Sequence, residues 1–238
     1  MAGTAENTTK NAAGAFLMSR AEILNNIRRG LKRGEAPADQ RAAVMTRLDA
    51  RANNLIPRRA QLPHAEQVAL FKTMAREAAA ELIELDSIDQ APAAIARWLT
   101  QQQIPELVCA SDPALQSLDW SVLDDIARTE RVARAGDLAS LTGSFAGIAE
   151  TGTLMLYSGA TSPTTLNFLP DNHLVILHQS CIVGVYEDAW KRLRSATGGA
   201  MPRTVNLITG PSRSADIEQK LQMGAHGPRT LVILLIKE

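Results

Sequence analysis

Helical patterns of apolar residues dominate the first half of the chain. Ser19 provides an N-cap for a segment in which Ile23, Leu24, Ile27 and Leu31 share one face. The basic residues at the end of this segment suit the negative end of a helix dipole. The pattern therefore predicts a helix over residues 19–31.

The longest helical pattern covers residues 64–85. Its apolar residues recur at spacings of three and four: Val68, Phe71, Ala75, Ala78 and Leu82. Further helices are predicted over residues 92–102, 121–128, 187–194 and 214–223.

The second half alternates short apolar runs with turns, and 11 of the 15 glycines lie from Gly136 onward. The strands predicted along the chain cover residues 106–110, 152–157, 173–178, 181–185, 203–209 and 230–236. Because these runs are almost continuously apolar, we expect both faces of the sheet to be buried. The pattern therefore predicts an α/β fold with a mixed, largely parallel sheet flanked by helices.

Composition divides the chain before this α/β domain, which we expect to cover residues 64–238. Residues 1–18 are small and polar and are expected to be disordered. Residues 19–63 contain two prolines besides the one at position 63, and they are expected to form an N-terminal helical arm.

Charge is balanced overall, with 25 basic and 25 acidic residues, but unevenly distributed. Residues 1–60 contain 11 Lys or Arg and 5 Asp or Glu. This basic head could contact a nucleic acid, an acidic partner or the acidic remainder of the chain. Only Phe16 supplies an aromatic ring among these arginines, so nucleic acid is disfavoured.

The two cysteines, Cys109 and Cys181, lie in or beside apolar runs and share no CxxC spacing. This pattern predicts buried free thiols in a reducing compartment, and argues against an iron–sulfur or cysteine-ligated zinc site in this chain. No apolar run reaches the ~18 residues of a membrane span. The start of the chain lacks the apolar core of a signal peptide. We therefore expect a cytoplasmic protein.

The first stretch with candidate chemistry is AETGT at residues 149–153. Glu150 beside Thr151 could bind a sugar-like or hydroxy-acid ligand, or act as a base or nucleophile, and Gly152 would let the backbone approach closely. The alternative is structural: Glu150 would hold a turn while Gly152 supplies an unusual backbone angle.

The second stretch is TGPSRSAD at residues 209–216, between a predicted strand and a predicted helix. Amides at the helix start, the hydroxyls of Ser212 and Ser214 and the guanidinium of Arg213 would suit a phosphate or carboxylate. The alternative is ordinary N-capping by one of the serines, with Asp216 in the first turn.

The third stretch is GAHGP at residues 224–228, before the last strand. Its glycines place His226 in an exposed loop where it could act as a general acid or base, bind a ligand or stabilise the turn. Gly227 is a candidate ligand contact in the same loop. No other histidine has metal-ligand spacing with it, so no metal site is predicted.

Four stretches together resemble the lactate-utilisation protein C (LutC/YkgG) family, the LUD domain. They are AETGTL (149–154), LPDNHLVIL (169–177), TGPSRSADIE (209–218) and GAHGPRTLVILLI (224–236). The resemblance covers roughly residues 65–238. It implies a fold similar to that of ribose-phosphate isomerases and CoA transferases (NagB/RpiA/CoA transferase-like), with a mixed sheet between helices.

The resemblance also implies a role in oxidising L-lactate to pyruvate with two iron–sulfur partner proteins, so that this chain would carry no cluster itself. Its leading interpretation is a non-redox subunit that binds a small anion or a partner. A stand-alone enzyme acting on a sugar phosphate or acyl-CoA, or a purely structural assembly factor, remain alternatives. By analogy with the related folds, Glu150, Arg213 and His226 would share one pocket.

Overall fold

The structure of the chain, a computed structural model, describes residues 19–50, 52–53, 55–215, 221–224 and 226–237. It divides into two compact units, Met1–Asn53 and Asn54–Glu238. The expected disorder of residues 1–18 lies outside the described residues. The predicted boundary between a helical arm and an α/β domain at residue 63 stays a prediction.

The smaller unit contains helices α1 (Arg20–Gly30) and α2 (Ala38–Ala50). Ser19 begins α1 with a reciprocal pair of hydrogen bonds: its Oγ accepts from the Glu22 amide at 3.2 Å, and Glu22 Oε2 accepts from the Ser19 amide at 2.6 Å. This capping box satisfies two amides that have no partner inside the helix. The N-cap predicted at Ser19 is confirmed.

The described residues of the larger unit form four α-helices and two sheets, together with a short hairpin. Its helices are α3 (His64–Glu77), α4 (Ala91–Gln101), α5 (Pro113–Gln116) and α6 (Tyr186–Ala196). Its strands are β1 (Glu81–Leu85), β2 (Glu106–Cys109), β3 (Ala127–Glu130), β4 (Ala139–Gly143), β5 (Ala146–Ile148), β6 (Thr153–Tyr157), β7 (Asn172–His178), β8 (Ile182–Val183), β9 (Val205–Ile208), β10 (Arg213–Ala215), β11 (Leu221–Met223) and β12 (Thr230–Ile236).

The main sheet that these residues form has six strands in the order β1-β12-β7-β4-β2-β3, and each neighbouring pair is parallel. Its centre is the pairing of β12 with β7, which runs from Thr230 beside Asn172 to Ile236 beside His178. The predicted α/β class with a largely parallel sheet flanked by helices is confirmed. The closer similarity to the ribose-phosphate isomerase fold stays a prediction.

Both faces of the main sheet are buried, because successive side chains of a strand point to opposite faces. One face packs against α4 through Leu174, Ile176, Val232, Leu234 and Ile236. The other face packs against α3 through Val175, Leu177, Leu231, Ile233 and Leu235. Burial on both faces explains why the sequences of the two central strands, β7 and β12, are almost continuously apolar.

The second sheet lies over the α3 side of the main sheet, with strand order β8-β5-β6-β9. Its β5–β6 and β6–β9 pairs are antiparallel and its β5–β8 pair is parallel. Leu154 and Leu156 of β6 join the core shared with the main sheet, whereas Met155 packs with Leu193 of α6 on the outer side. The first candidate stretch lies in the turn between β5 and β6 of this sheet, and the second begins directly after β9.

The helix predicted over residues 64–85 is wrong beyond Glu77, because residues 81–85 form β1 beside β12. The helix ends in a Schellman motif, in which the Ala80 amide donates to Ala75 O at 2.9 Å and the Ala79 amide to Arg76 O at 2.8 Å. Glycine usually occupies the left-handed position of this motif, but here Ala79 does, with a φ of 65°. The stop signal is therefore absent from the sequence.

Ala79→Gly is expected to raise the free energy of unfolding by about 1 kcal/mol, because glycine adopts a positive φ without the steric cost of a Cβ. Urea denaturation followed by circular dichroism would measure the change. Ala78→Gly is the matched control: Ala78 has a φ of −77°, so glycine there should lower the stability. Equal effects at the two positions would contradict the proposed strain at Ala79.

Two other predicted helices are also wrong. Residues 121–128 form a 3₁₀ turn at Ser121–Leu123, followed by β3, which pairs with β2. Within residues 214–223 the described ends, β10 and β11, pair as an antiparallel hairpin, and residues 216–220 lie outside the described residues. In both cases pairing with a neighbouring strand overrides a weak helical pattern.

Both cysteines are free, as predicted, but only Cys109 is fully buried. Burial raises the pKa of the Cys109 thiol to about 11, so it stays protonated near neutral pH. Cys181 is half-buried, and the Arg192 guanidinium donates to its Sγ at 3.0 Å.

Candidate functional site

The first candidate site is a cavity of about 240 Å³ at the amino ends of β7 and β12, here called the amino-edge pocket. It lies where the main sheet meets β9 of the second sheet. Its walls include Asn167, His173, Thr209, Ser212, His226 and Gly227. His173 and Leu231, which are register partners near the starts of the two strands, also line it.

Two hydrogen-bonded loops form one wall of this pocket. The Ser212 amide donates to Pro228 O at 2.8 Å, and the Gly224 amide donates to Ser212 O at 2.9 Å. A Cβ added at Gly227 would lie 3.2 Å from Ser212 Cβ, so glycine suits the close approach of the loops. The structure thereby brings together Ser212 from the second stretch with His226 and Gly227 from the third.

The interior end of the pocket holds two polar side chains that were not predicted as site residues. Asn167 and His173 are 3% and 1% exposed. Thr142 Oγ1 lies 2.8 Å from His173 Nε2, whereas His173 Nδ1 and Asn167 Oδ1 have no hydrogen-bond partner among the described residues. Burial lowers the pKa of His173 to about 3, so the ring is neutral at physiological pH.

The sequence offered a partial signal for one of these two residues. A histidine inside an apolar run that becomes a buried parallel strand needs a partner, but core packing or an interface explains it equally well. Asn167 gave no signal, because it ends a 3₁₀ turn (Thr164–Asn167) inside a segment that looks like an irregular loop.

Glu150 lies apart from the amino-edge pocket. It is 4% exposed, and its Oε1 accepts from the Tyr186 amide at 3.3 Å, in the first turn of α6. Its own amide donates to Gly184 O at 3.0 Å. A carboxylate at this end of a helix is stabilised by the helix dipole. The structure therefore gives Glu150 a capping contact, and its catalytic role stays a prediction.

A cluster of hydroxyl groups connects the Glu150 turn to the pocket wall. Thr151 Oγ1 lies 2.7 Å from Thr153 Oγ1, and each lies 3.0 Å from the Tyr186 hydroxyl. Thr153 Oγ1 also lies 2.6 Å from Thr209 Oγ1, and Thr209 lines the pocket. The predicted ligand residue Thr151 thus reaches the pocket through other side chains.

Gly152 makes a close approach to α3. Its φ is +65°, and an added Cβ would lie 2.3 Å from the Ala75 amide nitrogen and 2.5 Å from Met74 C. The predicted unusual backbone angle is confirmed, and it allows the turn to pack against the helix backbone. A contact between Gly152 and a ligand stays a prediction.

Arg213 does not line the amino-edge pocket; its guanidinium donates to Ala78 O, at the C-cap of α3. A cation suits this end of a helix. Because Arg213 and Ser214 belong to β10, no helix begins at this point to supply amides for an anion. Asp216 lies outside the described residues, and the ligand roles of Arg213, Ser214 and Asp216 stay predictions.

Arg213→Ala is expected to lower the free energy of unfolding by about 1 kcal/mol through loss of this cap, and to leave ligand binding in the amino-edge pocket unchanged. Urea denaturation and calorimetry with L-lactate would separate the two effects. Arg203→Ala, at an exposed position, is the matched control. A loss of binding without a loss of stability would instead support the anion-binding role.

A second crevice lies at the opposite edge of the main sheet, here called the carboxyl-edge crevice. It has a volume of about 280 Å³ and is lined by Asp112, Gly143, Ser144 and His178, among others. Gly143 and His178 end β4 and β7, and ligands of parallel sheets often bind at such carboxyl ends. Asp112 already caps α5, since its Oδ1 accepts from the Ala114 amide at 3.0 Å.

The described residues contain no group of three His, Cys, Asp or Glu side chains placed to hold a metal ion. They also contain no helix that is both long and apolar enough to cross a membrane. The expectation that this chain carries no cofactor stays a prediction.

The six-stranded parallel sheet, the smaller covering sheet and the two small crevices define an α/β protein with room for small ligands. Comparison with known sequences places it more closely: a model of the LUD domain family matches residues 1–236. The chain therefore belongs to the LUD domain family.

Several relatives show where the similarity lies. An uncharacterized protein of Neisseria meningitidis serogroup B is 44% identical over 98 residues, 41% of this chain and 42% of that protein. YkgG of Escherichia coli K12, also uncharacterized, is 29% identical over 92% of this chain and 99% of its own length. Lactate utilization protein C of a Geobacillus species is 37% identical over 38% of this chain and 39% of its own. The chain thus spans nearly all of YkgG and about two fifths of the other two relatives.

The crystal structure of a DUF162 family protein from Deinococcus radiodurans supports the fold. The two structures share a TM-score of 0.56 and 22% sequence identity over 74% of this chain and 99% of that chain.

Proposed function

We propose that this chain is a non-redox component of a cytoplasmic L-lactate utilisation system and that it binds the small anionic substrate in the amino-edge pocket. In the reaction of that system, L-lactate loses two electrons and two protons to become pyruvate. Iron–sulfur partner proteins accept the electrons. This chain contributes binding and orientation.

The observation that carries the proposal is the similarity to relatives named lactate utilization protein C, at 37% identity for one of them. The size of the pocket adds support. A cavity of about 240 Å³ is smaller than the ~300–1,000 Å³ that drug-sized ligands occupy, and it suits a three-carbon acid better than a sugar phosphate or acyl-CoA.

Complementation tests the proposal directly. In a strain that lacks the gene for this chain, wild type and Ser195→Phe should restore growth on L-lactate, whereas Ser212→Phe should not. Ser212 lines the pocket, so the larger side chain would fill it, whereas Ser195 is an exposed residue of α6. All strains should grow on pyruvate, because pyruvate bypasses the oxidation. Thermal unfolding of both variants checks that they fold.

Partner binding is tested by affinity purification of the tagged full chain from lactate-grown cells, where iron–sulfur proteins should co-purify. Undiminished growth of the deletion strain on L-lactate would contradict the proposal. Turnover of a sugar phosphate or acyl-CoA by the purified chain alone would replace it with the stand-alone enzyme.

A further inference from the structure

We infer that Asn167 and His173 form a hydroxyl-recognition subsite at the interior end of the amino-edge pocket, which selects a 2-hydroxy acid over the corresponding 2-oxo acid. This inference rests on the proposed function. It specifies that the pocket recognises the hydroxyl group of the ligand, and that Asn167 and His173 are the side chains that bind this group.

The hydrogen-bond donor of this subsite follows from the contact between Thr142 and His173. Thr142 is fully buried, and within the described ranges its hydroxyl contacts one acceptor, His173 Nε2 at 2.8 Å. A buried hydroxyl group needs an acceptor for its hydrogen. Thr142 therefore donates to Nε2, and the neutral ring carries its single hydrogen on Nδ1. His173 lines the pocket, and its Nδ1–H has no partner among the described residues.

The hydrogen-bond acceptor of the subsite is Asn167 Oδ1. The turn that carries it is fixed over β4, because the Ser140 hydroxyl donates to Leu166 O at 2.6 Å. Oδ1 is buried and unpartnered, which is costly unless a ligand or a water molecule supplies a hydrogen. The two unused atoms are one donor and one acceptor.

A ligand hydroxyl group placed between the two side chains would satisfy both atoms, because it can accept from His173 Nδ1–H and donate to Asn167 Oδ1. A keto oxygen can only accept, and it would leave Asn167 unsatisfied. No Lys or Arg is present among the described residues that line the pocket, so a carboxylate is disfavoured at the buried end, where water cannot solvate it. The carboxylate of a bound hydroxy acid would then face the mouth, where His226 is exposed.

A buried water molecule would also satisfy the same pair of atoms, so the test must separate a ligand subsite from a structural water site. Isothermal titration calorimetry of the purified full chain with L-lactate, pyruvate and propionate makes this distinction. Wild type should bind L-lactate at least ~10-fold more tightly than either analogue, since one unsatisfied buried group costs about that factor.

Asn167→Leu should remove this preference by weakening L-lactate binding and leaving pyruvate binding unchanged. Asn206→Leu is the matched control, because Asn206 is a buried asparagine of β9 that does not line the pocket. Thr142→Val is a second variant of nearly unchanged shape. It frees the ring to place its hydrogen on either nitrogen, and it should reduce the preference as well.

The inference is overturned if the wild type binds L-lactate and pyruvate with equal affinity, or if it binds neither ligand. It is also overturned if Asn167→Leu and Thr142→Val retain the preference for L-lactate. These results would assign the pair of atoms to a structural water. The proposed function fails separately, through the growth of the deletion strain on L-lactate, whatever the binding preference is.

Discussion

Gly152→Ala is expected to lower the free energy of unfolding by about 3 kcal/mol, because two costs act together. The φ of +65° places any Cβ in a strained backbone conformation. The same Cβ would lie 2.3 Å from the Ala75 amide nitrogen, and backbone atoms inside a helix cannot move aside as the end of a flexible side chain can. Urea denaturation followed by circular dichroism measures the loss.

Gly159→Ala is the control for this substitution, because Gly159 has no atom within 4 Å of an added Cβ and its φ is not positive. Its stability should stay within ~0.5 kcal/mol of wild type. If Gly152→Ala is as stable as this control, the turn after Glu150 can move away from α3. The close packing of Gly152 against the α3 backbone is then not required for stability.

Thr153→Val is expected to lower the free energy of unfolding by about 2 kcal/mol. Thr153 is fully buried, and its hydroxyl contacts Thr151, Tyr186 and Thr209 at 2.6–3.0 Å. Valine keeps the shape but removes the hydroxyl group that these partners share, so their own hydrogen bonds are left incomplete in a buried place. Urea denaturation gives the loss in stability.

Thr100→Val tests whether the effect is specific to the cluster. Thr100 lies on the exposed side of α4, and its hydroxyl donates to Ala96 O within the same helix at 2.8 Å. Water can replace this hydrogen bond, so the free energy of unfolding should stay within ~0.5 kcal/mol of the wild-type value. A small effect at Thr153 would mean that the remaining hydroxyl groups bond to one another without it.

The strands of the main sheet could be predicted where burial on two faces leaves an apolar run, as in β7 and β12. Helix ends could not be predicted equally well. Lys32, Ala79 and Gln103 all adopt a positive φ just after a helix, where glycine is the usual signal. The missing glycine at position 79 allowed the helical pattern to continue into β1.

The candidate site was predicted in part. Ser212, His226 and Gly227 lie on one wall because hydrogen bonds join the loop at Ser212 to the loop before β12. Asn167 and His173 were missed as site residues, because their significance lies in hydrogen bonds that are not made, and these depend on the full three-dimensional packing. Arg213 was predicted to bind an anion because a helix was expected to begin beside it. Its contact with the end of α3 could not be predicted, because a hairpin replaces that helix.

Strand β7 links the two crevices, since His173 lines one and His178 lines the other. Five residues of a strand span about 16 Å. Two small molecules bound at these places would be too far apart to react with each other. If both crevices bind ligands, β7 holds them apart, and any transfer between the two bound molecules would have to pass through a carrier or occur on another protein.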